Sequence, residues 1–436
     1  MAKPNVLVIH AHDLGRQLAC LGARTVQSPN LDRLAAGGVR FEHAFTVCPT
    51  CCPSRAVLFT GLYPAANGVM GMCCGRQKWD LKPEVKHLAQ HLGAAGYVTA
   101  AVGVHHESSS GPKRCGFESY EEPQLAGAAV DLAIPRMQKL AKGGAPFYLQ
   151  VAVHEPHRYH VPGDENDGFI GDYLSPDDEL GVVVPGYLKD TPGTRAELAE
   201  FQGAVRHMDA HVGRLLTALD RQGLRENTLV IFTTDHGAAL PRAKATLHEP
   251  GIETALIMRM PGRQGWSGGR LVSHMISNVD ITPTILDLLG LGVPEELQGR
   301  SFRSLLDGGG YQPREAFFCE QSYHGQYDPK RGIRTERYKL FLHFASGHSW
   351  QDCSQSWNPR SDPVISRRTA RPDFELYDLE KDPWELDNRR DDPALAEVRA
   401  DLLARLRAHM EKIGDPILQG PVDCPTRKIA MEILGA

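Results

Sequence analysis

Short, nearly continuous apolar runs alternate along the first part of the chain with longer stretches of helical period. The runs Asn5–His10, Val39–Ala44, Tyr97–Val102, Phe147–Val153, Thr228–Thr234 and Ala255–Met260 predict strands. They show little polar alternation, as expected of strands covered on both faces. Glu84–Ala95 predicts a helix, with Val85, Leu88 and Leu92 on one side and Gly96 as its stop. Thr194–Gln222, ended by Gly223, and Asp280–Leu289, with Pro283 in its first turn, predict two more. This alternation predicts an α/β fold: a large, mostly parallel sheet flanked by helices.

The pattern changes later in the chain. Arg331–Phe344 and Phe374–Asp378 read as short strands separated by the polar segment Ser346–Asp373. Asp392–Ile413 reads as an amphipathic helix, with Asp392 as N-cap and Pro393 in the first helical position. The expected organisation is a catalytic-type α/β domain over residues 1–328 and a smaller α+β domain over 329–436. At 436 residues the chain is long enough for both.

Composition adds mainly exclusions. A hydrophobic content of 42% and a charged content of 23% describe an ordinary globular protein. A net charge of -5 argues against a general nucleic-acid partner. No apolar run approaches the roughly 20 residues that span a bilayer, so no membrane partner is expected. Met1 leads almost directly into the first strand, without a basic segment, apolar run and cleavage site. As given, the chain reads as cytoplasmic; removal of a leader would make it periplasmic or secreted. Ten cysteines include the vicinal pairs Cys51–Cys52 and Cys73–Cys74, which form neither a disulfide framework nor zinc-finger spacing. Apart from Cys51 they read as reduced structural thiols.

Candidate chemistry gathers where ligands of such sheets gather, at the carboxyl ends of strands. His12 and Asp13 follow the first predicted strand, and His105 and His106 the third. His154 and His157 follow the fourth, and Asp235 and His236 the fifth. One histidine is usually a packing residue; polar pairs at four strand ends form a constellation. In Cys51-Cys52-Pro53-Ser54-Arg55, Pro53 suits a first helical turn, and Gly61 is a natural stop after Thr60. Cys51 then lies at a helix N-terminus, where backbone N–H groups favour an anion. Without further context a buried thiol beside a turn would explain Cys51 equally well.

The order C-x-P-S-R followed by an apolar turn and Thr60-Gly61 resembles the motif by which sulfatases mark one cysteine for oxidation to formylglycine. Cys51 holds the C, and Cys52 the free position. Similar matches are Pro4-Asn5-Val6-Leu7-Val8-Ile9, Ser28-Pro29-Asn30-Leu31-Asp32-Arg33-Leu34, Val153-His154-Glu155-Pro156-His157-Arg158 and Thr233-Thr234-Asp235-His236-Gly237. Asp280-Ile281-Thr282-Pro283-Thr284 and Glu375-Leu376-Tyr377-Asp378-Leu379-Glu380-Lys381-Asp382-Pro383 complete them. Over nearly its whole length the chain resembles the sulfatase family of the alkaline-phosphatase superfamily, nearest its N-sulfoglucosamine sulfohydrolase (sulfamidase) branch.

The resemblance implies hydrolysis of sulfate esters or sulfamates, on a sugar such as glucosamine, with residue 51 as formylglycine and a maturation enzyme as a partner. It implies one divalent metal held by His12, Asp13, residue 51, Asp235 and His236. The family has Asp where this chain has His12, and Asn where it has His236. Calcium is the family expectation, but imidazole ligands make manganese a competitor. Arg55 would hold the formylglycine oxygens, His106 would accept a proton, and His157 and Lys244 would face sulfate and the leaving group. His105 and His154 are further substrate-side candidates. Val104 replaces the family's lysine, which puts one sulfate-binding charge in doubt. Arg76, Lys78, Lys113 and Arg114 read either as an entrance for an anionic saccharide or as solvated charges.

Two alternatives stand beside this reading. Asp235-His236 looks like the pair of phosphonate monoester hydrolases, so a phosphonate or phosphate ester hydrolase of the same superfamily is the first. The second is a catalytically inactive sulfate- or saccharide-binding protein. Oligomeric state is left open.

Overall fold

The computed structural model describes residues 3–75, 77–158, 168–169, 174–350 and 360–434. Its main sheet contains β1 (Asn5–Ala11), β2 (Val39–Phe45), β3 (Val98–Gly103), β4 (Ser119–Glu121), β5 (Phe147–Ala152), β6 (Thr228–Thr234), β7 (Leu256–Arg259) and β8 (Arg270–Ser277). Their order is β4-β3-β5-β1-β6-β7-β2-β8. Every pairing is parallel except those of β7, which runs antiparallel to β6 and β2. β1, β5 and β6 are buried along their whole length, which explains their unbroken apolar character.

The longer helices are α1 (Pro29–Gly37), α2 (Cys51–Thr60), α3 (Leu88–Ala94), α4 (Ala126–Lys142), α5 (Pro192–Arg221), α6 (Ile281–Leu288), α7 (Ala396–Lys412) and α8 (Pro425–Leu434). Helix α3 starts at Leu88 rather than Glu84. His87 caps it, accepting from the Ala89 amide, while the Gln90 side chain accepts from the His87 amide. Helix α4 went unpredicted because Pro135 lies inside its apolar period. None of the described helices is long and apolar enough to cross a membrane.

A second, antiparallel sheet contains β9 (Phe317–Tyr323), β10 (Tyr327–Arg334), β11 (Tyr338–His343) and β12 (Phe374–Asp378), in the order β12-β11-β10-β9. The single run Arg331–Phe344 therefore folds as parts of two strands, turning at Thr335, where backbone and hydroxyl both bond Tyr338. β4, β8 and β9 had no counterpart in the predicted strands. The polar or mixed sequences of β4 and β8 match their exposed positions, whereas β9 is largely buried but carries the polar run Glu320-Gln321-Ser322. One hydrophobic cluster joins Leu58 and Phe59 of α2 to Ile333, Leu340 and Leu376 of the small sheet and Leu402 and Leu406 of α7. Both sheets thus share one core.

Candidate active site

Helix α2 is buried along its entire length, an unusual environment for a segment containing Arg55 and Ser54. Polar anchors satisfy it. Asn278 donates to the Ser54 carbonyl at 3.1 Å, and the Ser54 hydroxyl donates to the Asp235 carbonyl at 2.6 Å. At the N-cap, Thr50 makes no side-chain cap bond, so the first-turn N–H groups are not consumed by it. Cys51 occupies the first helical position, with its sulfur 3.8 Å from Met72 Sδ.

Strand ends bring the other groups around it. The Asp13 and His236 amides both donate to Asp235 Oδ1 at 2.9 Å, joining the ends of β1 and β6. Asp13 adopts a left-handed backbone, φ 56°, which turns the chain sharply just after β1. Lys244 is fully buried and donates to Asp13 Oδ2 at 2.6 Å, with His157 Nε2 at 3.3 Å from the same ammonium. Arg55 donates from Nε to Asp235 Oδ2 and from Nη1 to the Val104 carbonyl, both at 3.1 Å, leaving Nη2 without a hydrogen-bond partner. The imidazoles of His106, His154, His157 and His236 lie 5.6, 5.9, 4.4 and 6.2 Å from that of His12.

The donor set has the properties of a cation site. Asp13, Asp235 and His236 bring ligand atoms within 4.8 Å of one another, as do His12, Asp13 and His157, and His12, Cys51 and His106. Asp13 Oδ1 is buried 2.8 Å from His12 Nδ1, and His12 Nε2 lies 3.6 Å from Asp235 Oδ2. His236 Nδ1 lies 3.0 Å from the Gly237 carbonyl, and its Nε2 lies 3.3 Å from Asp13 Oδ1. The buried carboxylates of Asp13 and Asp235 require positive charge nearby. These residues fit a divalent ion, and two imidazoles give it nitrogen as well as oxygen.

Protein cations share the same role. Burial opposes ionisation of Asp13, but Lys244, then His157, His12 and His236, hold its carboxyl well below the usual range. Burial likewise opposes charge on His12, yet the carboxylates of Asp235 and Asp13 raise its pKa to about 9. Burial lowers His154 to about 4, with His12 adding repulsion. The Cys51 thiol is pushed well below its ordinary value, first by a hydrogen bond from Cys52 and, against burial, by contacts to His106, His12 and His236.

His105 turns the other way. Its Nδ1 lies 2.7 Å from Glu107, and its Nε2 3.7 Å from Cys115 Sγ, so these contacts do not support a place on the substrate side. Glu107, which sequence reasoning missed, also accepts from the His106 amide at 2.8 Å and from Gln150 at 3.0 Å. It anchors the loop carrying His106, and only a buried acid one residue after a histidine pair hinted at it. Arg114 is spent on the carbonyls of Lys82, Pro83 and Val85 rather than on an entrance. Lys78 is exposed, and Arg76 lies outside the described residues.

A mixed α/β sheet carries Cys51 at the start of a buried helix, with carboxylates and histidines clustered at its strand ends. The sulfatase family model matches residues 4–291, and this chain belongs to the sulfatase family. A second model, N-sulphoglucosamine sulphohydrolase, C-terminal, matches residues 242–363. Human N-sulphoglucosamine sulphohydrolase is 29% identical over 96% of this chain and 92% of its own length. Human arylsulfatase A is 28% identical over 88% of this chain and 82% of its own. Among solved structures, BT4656 in complex with its substrate D-glucosamine-2-N,6-O-disulfate aligns with a TM-score of 0.73 and 21% identity, covering 96% and 99% of the two chains. The phosphonate monoester hydrolase of Agrobacterium radiobacter aligns with a TM-score of 0.70 and 22% identity, covering 93% and 96%. These structural likenesses concern the fold.

Proposed function

We propose that this sulfatase hydrolyses a sulfate ester or sulfamate on a sugar, with glucosamine as the sugar, through a formylglycine made from Cys51. The observation that carries it is Cys51 at the first residue of a buried helix, in one side-chain cluster with His12, His106, Asp13, Asp235 and Lys244. The similarity to N-sulphoglucosamine sulphohydrolase in both parts of the chain supports the sugar and the sulfamate. Once converted, residue 51 supplies a hydrated aldehyde, one hydroxyl of which is the nucleophile toward sulfur while the other restores the carbonyl as sulfate departs. Asp13, Asp235 and His236, with His12 and residue 51, would hold a divalent cation, which would supply positive charge toward sulfate oxygens; the carboxylates suit calcium, the family expectation, and the two imidazoles suit manganese.

The chain's own residues position the anion and move protons. Arg55, locked by Asp235 and the Val104 carbonyl, keeps Nη2 unspent for an anion at residue 51. With the lysine position filled by Val104, Arg55 and Lys244 are the fixed cations proposed to bind sulfate. Lys244 and His157, 3.3 Å apart, hold a proton for the leaving oxygen or nitrogen. That proton is decisive for a sulfamate, because an unprotonated nitrogen anion is too basic to depart. His106, in contact with residue 51 from another loop, takes the proton of the second hydroxyl.

The test pairs mass spectrometry with turnover. Conversion lowers the mass of the residue 51 peptide by about 18 units. Converted protein is expected to release sulfate from N-sulfo or O-sulfo glucosamine; converted, metal-loaded protein inert toward both would overturn the proposal. His236 beside the two carboxylates is the observation that favours the second reading, phosphonate ester hydrolysis. Faster turnover of an aryl phosphonate than of an aryl sulfate would select it.

A further inference from the structure

Lys244 lies on the loop that follows β6, and the backbone on both sides of it takes an uncommon conformation. Arg242 and Ala245 both have φ 60°, in the left-handed region that is costly for a residue with a side chain. Such residues persist only where their surroundings fix them. The loop supplies part of the fixing itself. The Lys244 amide donates to the Ala238 carbonyl at 3.1 Å, and the Thr246 hydroxyl to the Arg242 and Ala243 carbonyls at 3.1 and 2.9 Å. The Ala245 amide donates at 2.8 Å to the carbonyl of Pro49, just ahead of helix α2.

The small sheet supplies the rest. Lys330, on β10, is buried, and its ammonium donates to the Ala245 carbonyl at 3.3 Å while Asp328 holds it at 2.6 Å. Arg242, also buried, donates to the Trp384 carbonyl at 2.9 Å and to the Glu385 carbonyl, both in the turn after β12. Lys339 of β11 anchors that turn, 2.9 Å from Glu385 Oε1, and Glu385 Oε2 accepts from the Glu249 amide. Leu247 packs against Phe317, Phe341 and Tyr377 of the same sheet. Charged hydrogen bonds to the small sheet thus flank Lys244 in sequence, at 242 and at 245.

Resting on the leaving-group role proposed for Lys244, we infer that Arg242 and Lys330 are positioning residues, through which the small sheet fixes where the Lys244 ammonium meets the leaving atom. Lysine's four-carbon stem is flexible, so the ion pair with Asp13 leaves its reach to be set by the backbone. Proton transfer needs that reach to be right, and a misplacement of about 1 Å costs on the order of 100-fold in rate.

The test compares, on the mature protein, a leaving group that needs a proton with one that does not. Lys330→Met leaves Asp328 paired with Arg371 at 2.7 Å, and Arg242→Lys keeps the charge but lacks the second N–H arm. Either variant alone carries the test if the other fails to fold. Each is expected to lower the turnover number on N-sulfo or O-sulfo glucosamine about 10–100-fold, and on nitrophenyl sulfate at least about fivefold less, with a smaller change in KM. Added to Lys244→Ala, neither should change the ratio between the two substrates further, because the group they position is gone. A merely structural defect lowers both substrates by one factor and still acts in the Lys244→Ala background; either result overturns the positioning. Lys244→Ala without a preference between the substrates would refute the leaving-group role, and the positioning with it. A selective Lys244→Ala beside unaffected Lys330→Met and Arg242→Lys would refute the positioning alone.

Discussion

Lys244 is fully buried, and its ammonium is 2.6 Å from Asp13 Oδ2. Lys244→Ala removes the cation proposed for the leaving group and leaves a buried carboxylate less compensated. The turnover number is expected to fall about 10²–10³-fold, with a smaller change in KM, as for loss of a group acting mainly in the transition state. Steady-state kinetics on a folded, converted sample decides it; an unchanged turnover number removes Lys244 from the mechanism. At this scale the motif spacing pointed to Cys51 and Arg55, because both lie in one short run. Glu107 was not legible, since its role depends on His105, the His106 amide and Gln150 meeting it in space.

The loop bearing His106 begins at Gly103, the last residue of β3, with φ +103°. A Cβ there would lie 1.7 Å from the Ala152 carbonyl oxygen of the neighbouring strand β5. Only glycine allows the chain to leave the sheet at this point. Gly103→Ala is expected to cost about 3 kcal/mol or more, or to prevent folding, as read by urea unfolding. A variant with wild-type stability would show that the strand end relaxes freely. The apolar period revealed buried strands such as β1 and β6, but not α4, whose period is broken by Pro135, or β8, whose faces differ in exposure.

Across the whole molecule, burial of ionisable groups makes stability depend on ions and on pH. Asp13, Asp235 and His236 are all buried, so an ion binding them in the native state alone stabilises it by about 2.7 kcal/mol at 100 times its Kd. Thermal unfolding should therefore rise on adding manganese to chelator-treated protein, and Asp235→Asn should abolish the rise; no rise in the parent protein would refute the cation site. Glu320, on β9, is buried near Asp415, and burial followed by that carboxylate raises its pKa from 4.5 to about 7, despite Arg331. The native state therefore holds a proton that the unfolded chain releases above 4.5. Its contribution is complete below pH 4.5 and is lost as pH rises through 7. Glu320→Gln should exceed the parent in stability at pH 8 by about 1–3 kcal/mol, with the difference shrinking toward pH 4.5. Denaturant melts at the two pH values test this, and a difference independent of pH contradicts it.

By itself the sequence determined the α/β class, the sulfatase motif around Cys51 and the strand ends carrying His12, Asp13, Asp235 and His236. Those features reside in local period and spacing, which a linear chain displays directly. Only the tertiary structure decided that Lys244 reaches Asp13 and that Gln150 donates to Glu107. Each is a contact between segments remote in sequence, and the direction of a side chain across such a contact follows from packing, which no local pattern encodes.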